Sequence, residues 1–337
     1  MSNISHILDP LAAGADLSAP QAREVFDLFM TGDISPVQAG AFLLGLRAKG
    51  ETVDELAAAV DAALDHARLV TGLSGRRIDT CGTGGDGQHS FNCSTAVSFF
   101  LADMGYQVVK HGNRAVSSKC GSADVVEDLG LPLVTDPEEA RVELALHNFV
   151  FLFAPHFHPA FKHVGPIRQQ LGIRTIFNLM GPLLNPAMPT HQILGVPDFR
   201  FAPMMAQVLA ERPGLEHAAI VHGAGGFDEL TPCGPGQVIF VEHGSLIETT
   251  LDPADFGLAT CVPRALACDS KGEALRLQRQ VLSGQGPQSI KDMVTLNLGM
   301  AIFLLEDDMT MELAMELAQT RVDRGLTGDL AGRVAHA

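Results

Sequence analysis

The stretch DTCGTGGDGQHSFNCST, residues 79–95, places four glycines within the six positions 82–87. Glycine loses more conformational freedom on folding than any other residue, so this loop must do something that only bare backbone can do. Crowding backbone amides onto an anion is the leading use of such a loop. It is preceded by RRIDT, a short strand pattern. It is followed by a helical pattern with Val97, Phe100, Leu101 and Met104 on one face, which Gly105 ends. YQVVK (106–110), the apolar run FVFLFA (149–154) and AAIVHG (218–223) read as further strands. Strands alternating with helices predict an α/β fold with a mostly parallel central sheet flanked by helices. In such sheets ligands bind at the carboxyl ends of the strands.

The first seventy residues carry a different texture. SPVQAGAFLLGLRAKG opens with Ser35 as N-cap and Pro36 at the first helical position, and closes at Gly50. TVDELAAAVDAALDHA carries the capping box of Thr52 and Glu55. A small all-helical domain over 1–70, a break at TGLSG (71–75) and an α/β domain over 76–337 are therefore expected. A length of 337 residues also favours two units over one.

Charge narrows the partners. Against 23 Lys and Arg stand 39 Asp and Glu, a net charge of −16 that opposes non-specific binding to nucleic acid or anionic membrane. No apolar run reaches the roughly 18 residues a membrane helix requires. MSNISHILDPLAAG lacks the basic and apolar regions of a signal peptide. Six cysteines without a C-x-x-C pair read as free thiols of a cytoplasmic protein.

Gly82, Gly84 and Gly87 satisfy G-x-G-x-x-G, but a dinucleotide site is excluded. Seven residues separate Gly87 from the helix expected near Thr95, and the next strand ends in Lys110, which cannot accept hydrogen bonds from ribose. Asn92, Ser94 and Thr95 at the helix start instead suit a phosphate. The next loop, KHGNRAVSSKCGSAD (110–124), holds Lys110, Arg114 and Lys119 with no acid between Asp103 and Asp124. That local reversal of sign in an acidic chain points to an anionic ligand, and two such loops point to more than one phosphate. A third acid-free stretch, Leu144 to Pro197, contains Lys162, Arg168 and Arg174 and resembles the wall of another anion site. His156, His158 and His163 in that stretch have no carboxylate or cysteine beside them and read as packing histidines rather than metal ligands. In GGFDEL, adjacent Asp228 and Glu229 are candidates for Mg²⁺ beside a polyphosphate; adjacent acids elsewhere are usually only solvated.

GTGGD, FNCST, KHGNRAVSSKCGSAD, HPAFKHVGPIRQQLGIRTIFNLMGPLLNP and GGFDEL together resemble the anthranilate phosphoribosyltransferase family of tryptophan biosynthesis. The resemblance covers roughly residues 30–235, thins between about 245 and 290, and partly returns at VTLNLGMAIFLL. It implies transfer of 5-phosphoribose from phosphoribosyl pyrophosphate to the amino group of anthranilate, with Mg²⁺ as cofactor. It also implies a homodimer formed through the helical domain, a later contribution to that domain from about 165–185, and hinges to the α/β domain. By resemblance, phosphoribosyl pyrophosphate is bound by Gly82, Gly85, Asp86, Ser90, Asn92, Cys93, Ser94 and Thr95, by Lys110, His111, Gly112, Asn113, Arg114, Ala115, Val116, Ser117 and Ser118, and by Ser122. Anthranilate contacts match Gly82, Asn113 and Arg168; Mg²⁺ ligands match Ser94, Asp228 and Glu229. Breaking the bond from C1 to pyrophosphate leaves negative charge on the leaving group, which Mg²⁺, Lys110, Lys119 and the loop amides are expected to stabilise. Ser90 stands where threonine is usual, and Ala115 and Cys120 replace frequent serines. No acid or base is assigned; His111 is the nearest candidate. Two alternatives carry different signatures. A pyrimidine nucleoside phosphorylase would carry a lysine, histidine and serine ahead of T-G-G, where this chain has Thr80, Cys81 and Gly82. A non-catalytic nucleic-acid-binding homologue would need a degraded glycine loop and a basic surface.

Overall fold

The computed structural model describes residues 4–114 and 120–336, with side chains described to residue 332. Ala115, Val116, Ser117, Ser118 and Lys119, all named above, lie outside the described residues. The chain forms two compact units, residues 1–69 with 154–186, and residues 70–153 with 187–337.

The first unit is helical. Pro36–Lys49 begins at Ser35, whose hydroxyl accepts the Gln38 amide at 3.3 Å. Val53–Asp65 begins at Thr52, which accepts from the Glu55 amide at 3.3 Å while the Glu55 carboxylate accepts from the Thr52 amide at 2.9 Å. Glu55 is fully buried, and it is satisfied there: it also accepts from the Leu17 amide and from Lys49 Nζ, each at 2.9 Å. Phe26, Phe29, Phe42 and Phe177 meet in tilted and edge-to-face pairs at the centre of this unit, with centroids 5.4–6.1 Å apart. The later segment supplies Phe161–Leu171 and the short helix Phe177–Met180.

The second unit is built on one eight-stranded sheet: β1 (Arg77–Gly82), β2 (Gln107–Gly112), β3 (Leu133–Val134), β4 (Phe149–Phe153), β5 (His191–Gly195), β6 (His217–His222), β7 (Gly236–Glu242) and β8 (Ser245–Leu251), in the order β3-β4-β2-β1-β5-β6-β7-β8. β1 to β6 run parallel, and β7 and β8 continue as an antiparallel hairpin. From β1 the chain moves outward to β2 on one side; from β5 it moves to β6 on the other. The last residues of these two neighbours, Gly82 and Gly195, pair directly. Their carboxyl ends therefore flank a topological switch point, where an open parallel sheet leaves a crevice.

The helix Cys93–Asp103 departs from the sequence expectation of a single apolar face. Every residue from Cys93 to Ala102 except Ser94 is buried, because the helix packs on β1 and β2 on one side and on the helix Gln288–Leu305 on the other. It also starts two residues earlier than Thr95. No helix among the described residues is long and apolar enough to cross a membrane.

Candidate active site

The cost of the glycine loop is explained by its backbone. Gly84, Gly85 and Gly87 all have φ between 70° and 75°, in the left-handed region that other residues rarely enter. The loop is then tied down from several sides. Thr83 donates its amide to Gly195 O at 2.9 Å, Gln88 Nε2 donates to Gly225 O at 2.9 Å, and Phe91 and Leu266 share a backbone bond at 2.9 Å. Ser90 forms an antiparallel bridge with Ala267, a partner in the region where the resemblance thins.

After β6 the segment Gly223–Leu230 folds back over the ends of three strands. A Cβ on Gly195 would overlap the Asp228 carbonyl, one on Gly223 the Glu229 carbonyl, and one on Gly82 the Asp228 carboxylate. Only hydrogen fits at these places, so the three bare backbones let the acidic pair lie flat against the sheet. Asp228 Oδ2 accepts the Gly84 amide at 2.7 Å, and Glu229 Oε1 accepts the Ser94 amide at 2.8 Å. Asn92, at the helix start, makes no side-chain cap bond; Glu229 caps the helix from across the sheet. Asp86 lies in the same cluster: its Oδ1 accepts from the Gln88 amide at 3.0 Å, and Oδ2 is buried without a hydrogen-bond partner.

This crowding of acids has an electrostatic consequence. Burial, and then the neighbouring Asp86 charge, push the Asp228 carboxyl up to about 6, and burial with Asp228 beside it pushes Glu229 well above the carboxylate range. A divalent cation placed there would relieve both. Asp228, Glu229 and the Ser94 hydroxyl are hard oxygen donors, the set that Mg²⁺ accepts while keeping waters or phosphate oxygens. Among the described residues no three Asp, Glu, His or Cys side chains converge to hold a metal by themselves. The residues fit an ion shared with a phosphate ligand better than a closed structural site.

Lys110 is a buried cation. Its side chain leaves β2 beneath the loop, is only 2% exposed, and donates to Thr80 O at 2.5 Å and Ser94 Oγ at 3.2 Å. Burial lowers its pKa, opposed by Asp79, Cys81 and Glu229. Buried there, it presents no atom to the surface and holds Ser94 Oγ from below. Cys93 also points inward, its thiol against Met293 O at 3.6 Å, and Thr95 is fully buried, so at both positions only the backbone can serve a ligand. Arg114 is engaged by Glu127 through two bonds of 2.6 and 2.7 Å at the surface. His111 and Gly112 end β2, with Asn113 next; a Cβ on Gly112 would come within 2.9 Å of Ser122 Oγ, so Ser122 lines the same strand end.

Arg168 belongs to the helical unit, in the last turn of Phe161–Leu171. Its guanidinium lies over the Phe177 ring, 5.9 Å from the centroid, and burial alone lowers its pKa.

Sequence reasoning did not single out Thr80, Gly195, Gly223 or Asn297. Asn297 stands in the VTLNLGMAIFLL stretch and lines a cavity of about 10 Å³ with Thr80, Cys81, Ser94, Asp228 and Glu229. A polar residue amid that apolar helix was the available signal.

A glycine loop and a two-carboxylate loop meeting at a switch point define a phosphate-binding α/β transferase. In agreement, residues 74–327 match the description "Glycosyl transferase family, a/b domain" and residues 5–67 match "Glycosyl transferase family, helical bundle domain". The chain is 53% identical over 99% of its length to an anthranilate phosphoribosyltransferase of Nitratidesulfovibrio vulgaris, of which it covers 98%. Its fold superposes on the Thermus thermophilus anthranilate phosphoribosyltransferase with a TM-score of 0.87 at 35% identity, covering 98% of this chain and 96% of that one. The Saccharomyces cerevisiae enzyme, solved in complex with PRPP and Mg, gives a TM-score of 0.87 at 27% identity over 99% of this chain and 96% of that one. The chain belongs to the anthranilate phosphoribosyltransferase family of glycosyl transferases.

Proposed function

We propose that this protein transfers the 5-phosphoribosyl group of phosphoribosyl pyrophosphate to the amino group of anthranilate, releasing pyrophosphate, as a Mg²⁺-dependent step of tryptophan biosynthesis. The observation that carries the reading is the seating of Asp228 and Glu229 on the glycine loop at the switch point, in a chain 53% identical to a relative bearing that name.

Breaking the bond from ribose C1 to pyrophosphate develops negative charge on the leaving group and positive charge on the sugar. The Gly84 amide is held by Asp228 and the Ser94 amide by Glu229, so the rest of the loop backbone and the dipole of Cys93–Asp103 supply the positive field for the phosphates, an electrostatic contribution that needs no covalent intermediate. Ser94, Asp228 and Glu229 would hold Mg²⁺, which when bound supplies cationic charge to the pyrophosphate oxygens. Lys110 fixes the Ser94 hydroxyl from below. The arylamine is already a nucleophile, so placing it in line with C1 is the protein's main task there. Arg168 supplies a planar guanidinium for the acceptor's carboxylate. The protein works as a homodimer joined through the helical unit.

The test is a transferase assay with phosphoribosyl pyrophosphate, Mg²⁺ and a panel of acceptors including anthranilate, run beside an assay with pyrimidine nucleosides and inorganic phosphate. Anthranilate consumption with stoichiometric pyrophosphate release is expected; phosphorolysis of pyrimidine nucleosides without it would replace the reading by the phosphorylase alternative.

A further inference from the structure

Asn297 is the residue of Gln288–Leu305 that reaches the acidic loop. Its Oδ1 accepts the Leu230 amide at 3.1 Å, and its Nδ2 donates to Leu230 O at 2.8 Å and to Met293 O at 2.8 Å. The amide thus closes a two-bond clamp on the backbone of the residue that follows Glu229, and a third bond locks the clamp to its own helix. Asn297 is 4% exposed and Leu230 1%, so water cannot replace these bonds.

The rest of the environment explains why the clamp matters. The acidic loop rests against Gly82, Gly195 and Gly223 on the sheet side, which limits its approach but does not draw it in. Asp228 and Glu229 reach the Gly84 and Ser94 amides through their side chains alone, so their spacing depends on how the backbone that follows is held. Leu230, bonded from behind by Asn297, fixes that backbone. The height of the clamp is itself set by packing: Gly299, two residues further on, lies under Met315 of the helix Met311–Arg324, where any Cβ would collide with the thioether.

We propose that Asn297 is a positioning residue for the metal-binding carboxylates: it fixes the Leu230 backbone so that Asp228 and Glu229 keep one spacing with and without the cation. The inference rests on the transferase reading for its kinetic consequence, but its structural consequence stands apart.

Two measurements on Asn297→Leu, with Asn297→Ser as the milder variant, test it. Leu298→Ala, a buried change at the next position of the same helix that leaves the Asn297 amide in place, is the control for lost stability. Amide hydrogen exchange in metal-free protein should accelerate about tenfold or more at residues 229–231 in both Asn297 variants, and not in Leu298→Ala. The Mg²⁺ concentration for half-maximal rate should rise about tenfold in Asn297→Ser, with the anthranilate KM within about twofold of wild type. Exchange at 229–231 no faster than in the control, or an unaltered Mg²⁺ requirement in the folded Asn297→Ser enzyme, would overturn the proposal. If the wild-type protein shows no phosphoribosyl transfer, the function reading falls, and hydrogen exchange with direct Mn²⁺ binding decides the clamp.

Discussion

The Asp228 carboxylate accepts the Gly84 amide at 2.7 Å and occupies the place where any side chain on Gly82 would have to stand. Two segments 144 residues apart therefore share one surface, and each is readable only against the other. The glycines of the 82–87 loop serve a left-handed turn; Gly82 itself serves the close approach of an acid.

Gly195→Ala tests that close approach without touching a charge. The added methyl must displace the Asp228 carbonyl, which is backbone and has little room to yield. A shift of the carboxylate pair by about 1 Å should lower kcat about a hundredfold, since misplacement on that scale is costly. Steady-state kinetics on protein whose circular dichroism matches wild type would show it. A variant within twofold of wild type would mean that the loop adjusts freely.

Asp228→Asn combined with Glu229→Gln removes the main charge available to Mg²⁺ and should abolish most turnover while sharply raising the metal requirement. It should also raise stability in metal-free buffer. Burial lifts both carboxyls, Asp228 to about 6, so the folded state holds protons that the unfolded state has released. Stability of the metal-free wild type is then greatest below the unfolded carboxyl range and is lost as pH rises through about 6. The double variant should lack that loss. Thermal unfolding at about pH 5 and about pH 8, with chelator, compares the two; equal slopes would remove these acids from a shared buried site.

How much of this was legible beforehand depends on the kind of contact. Ser35, Thr52 and Glu55 cap their helices as the local sequence demands, because caps are settled within four residues. RRIDT, YQVVK and AAIVHG mark three strands within one or two residues of β1, β2 and β6. The burial of Lys110 was not legible: its place at a strand end does not show which way the side chain turns, and its bonds to Thr80 O and Ser94 Oγ join residues 30 and 16 positions apart. Cys93–Asp103 read as one-faced because sequence periodicity does not reveal a second layer; Gln288–Leu305, nearly 200 residues on, supplies that layer. Asn297 showed only as a polar residue amid an apolar helix, without its partner. It bonds to backbone, which carries no sequence signal.

Acid sensitivity should arise from histidines away from the site. Burial lowers His158 from its ordinary 6.5 to about 4, with its ring against Leu184 O at 2.8 Å. His191 falls to about 4 through burial and the nearby His217 and Arg76 charges. Both are neutral in the folded state where the unfolded chain would protonate them, so stability present above pH 6.5 is lost as pH falls toward 4. Each histidine contributes at most about 3 kcal/mol to that loss. His158→Gln keeps a donor for Leu184 and should flatten the fall in unfolding midpoint between about pH 6.5 and pH 4.5. An unchanged fall would place the acid sensitivity elsewhere.

Arg168 is predicted to hold the acceptor's carboxylate. An aromatic acid entering a protein of net charge −16 must have its own charge met, and a guanidinium meets a carboxylate with two parallel hydrogen bonds. Among the described residues Arg168 has no carboxylate partner; it lies over Phe177 and is shifted by burial alone, so its donors are not committed to an internal acid. The Phe177 ring beneath it orients the plane of the fork. Hydrogen bonds to charged groups contribute about 1.5–3 kcal/mol, so Arg168→Ala should raise the anthranilate KM about ten- to a hundredfold. Arg168→Lys should recover only part of this, because an ammonium keeps the charge and loses the planar pair of donors. The KM for phosphoribosyl pyrophosphate should change little. An unaltered anthranilate KM in folded Arg168→Ala protein would move the acceptor's anchor to another residue, with Arg174 next to be tested.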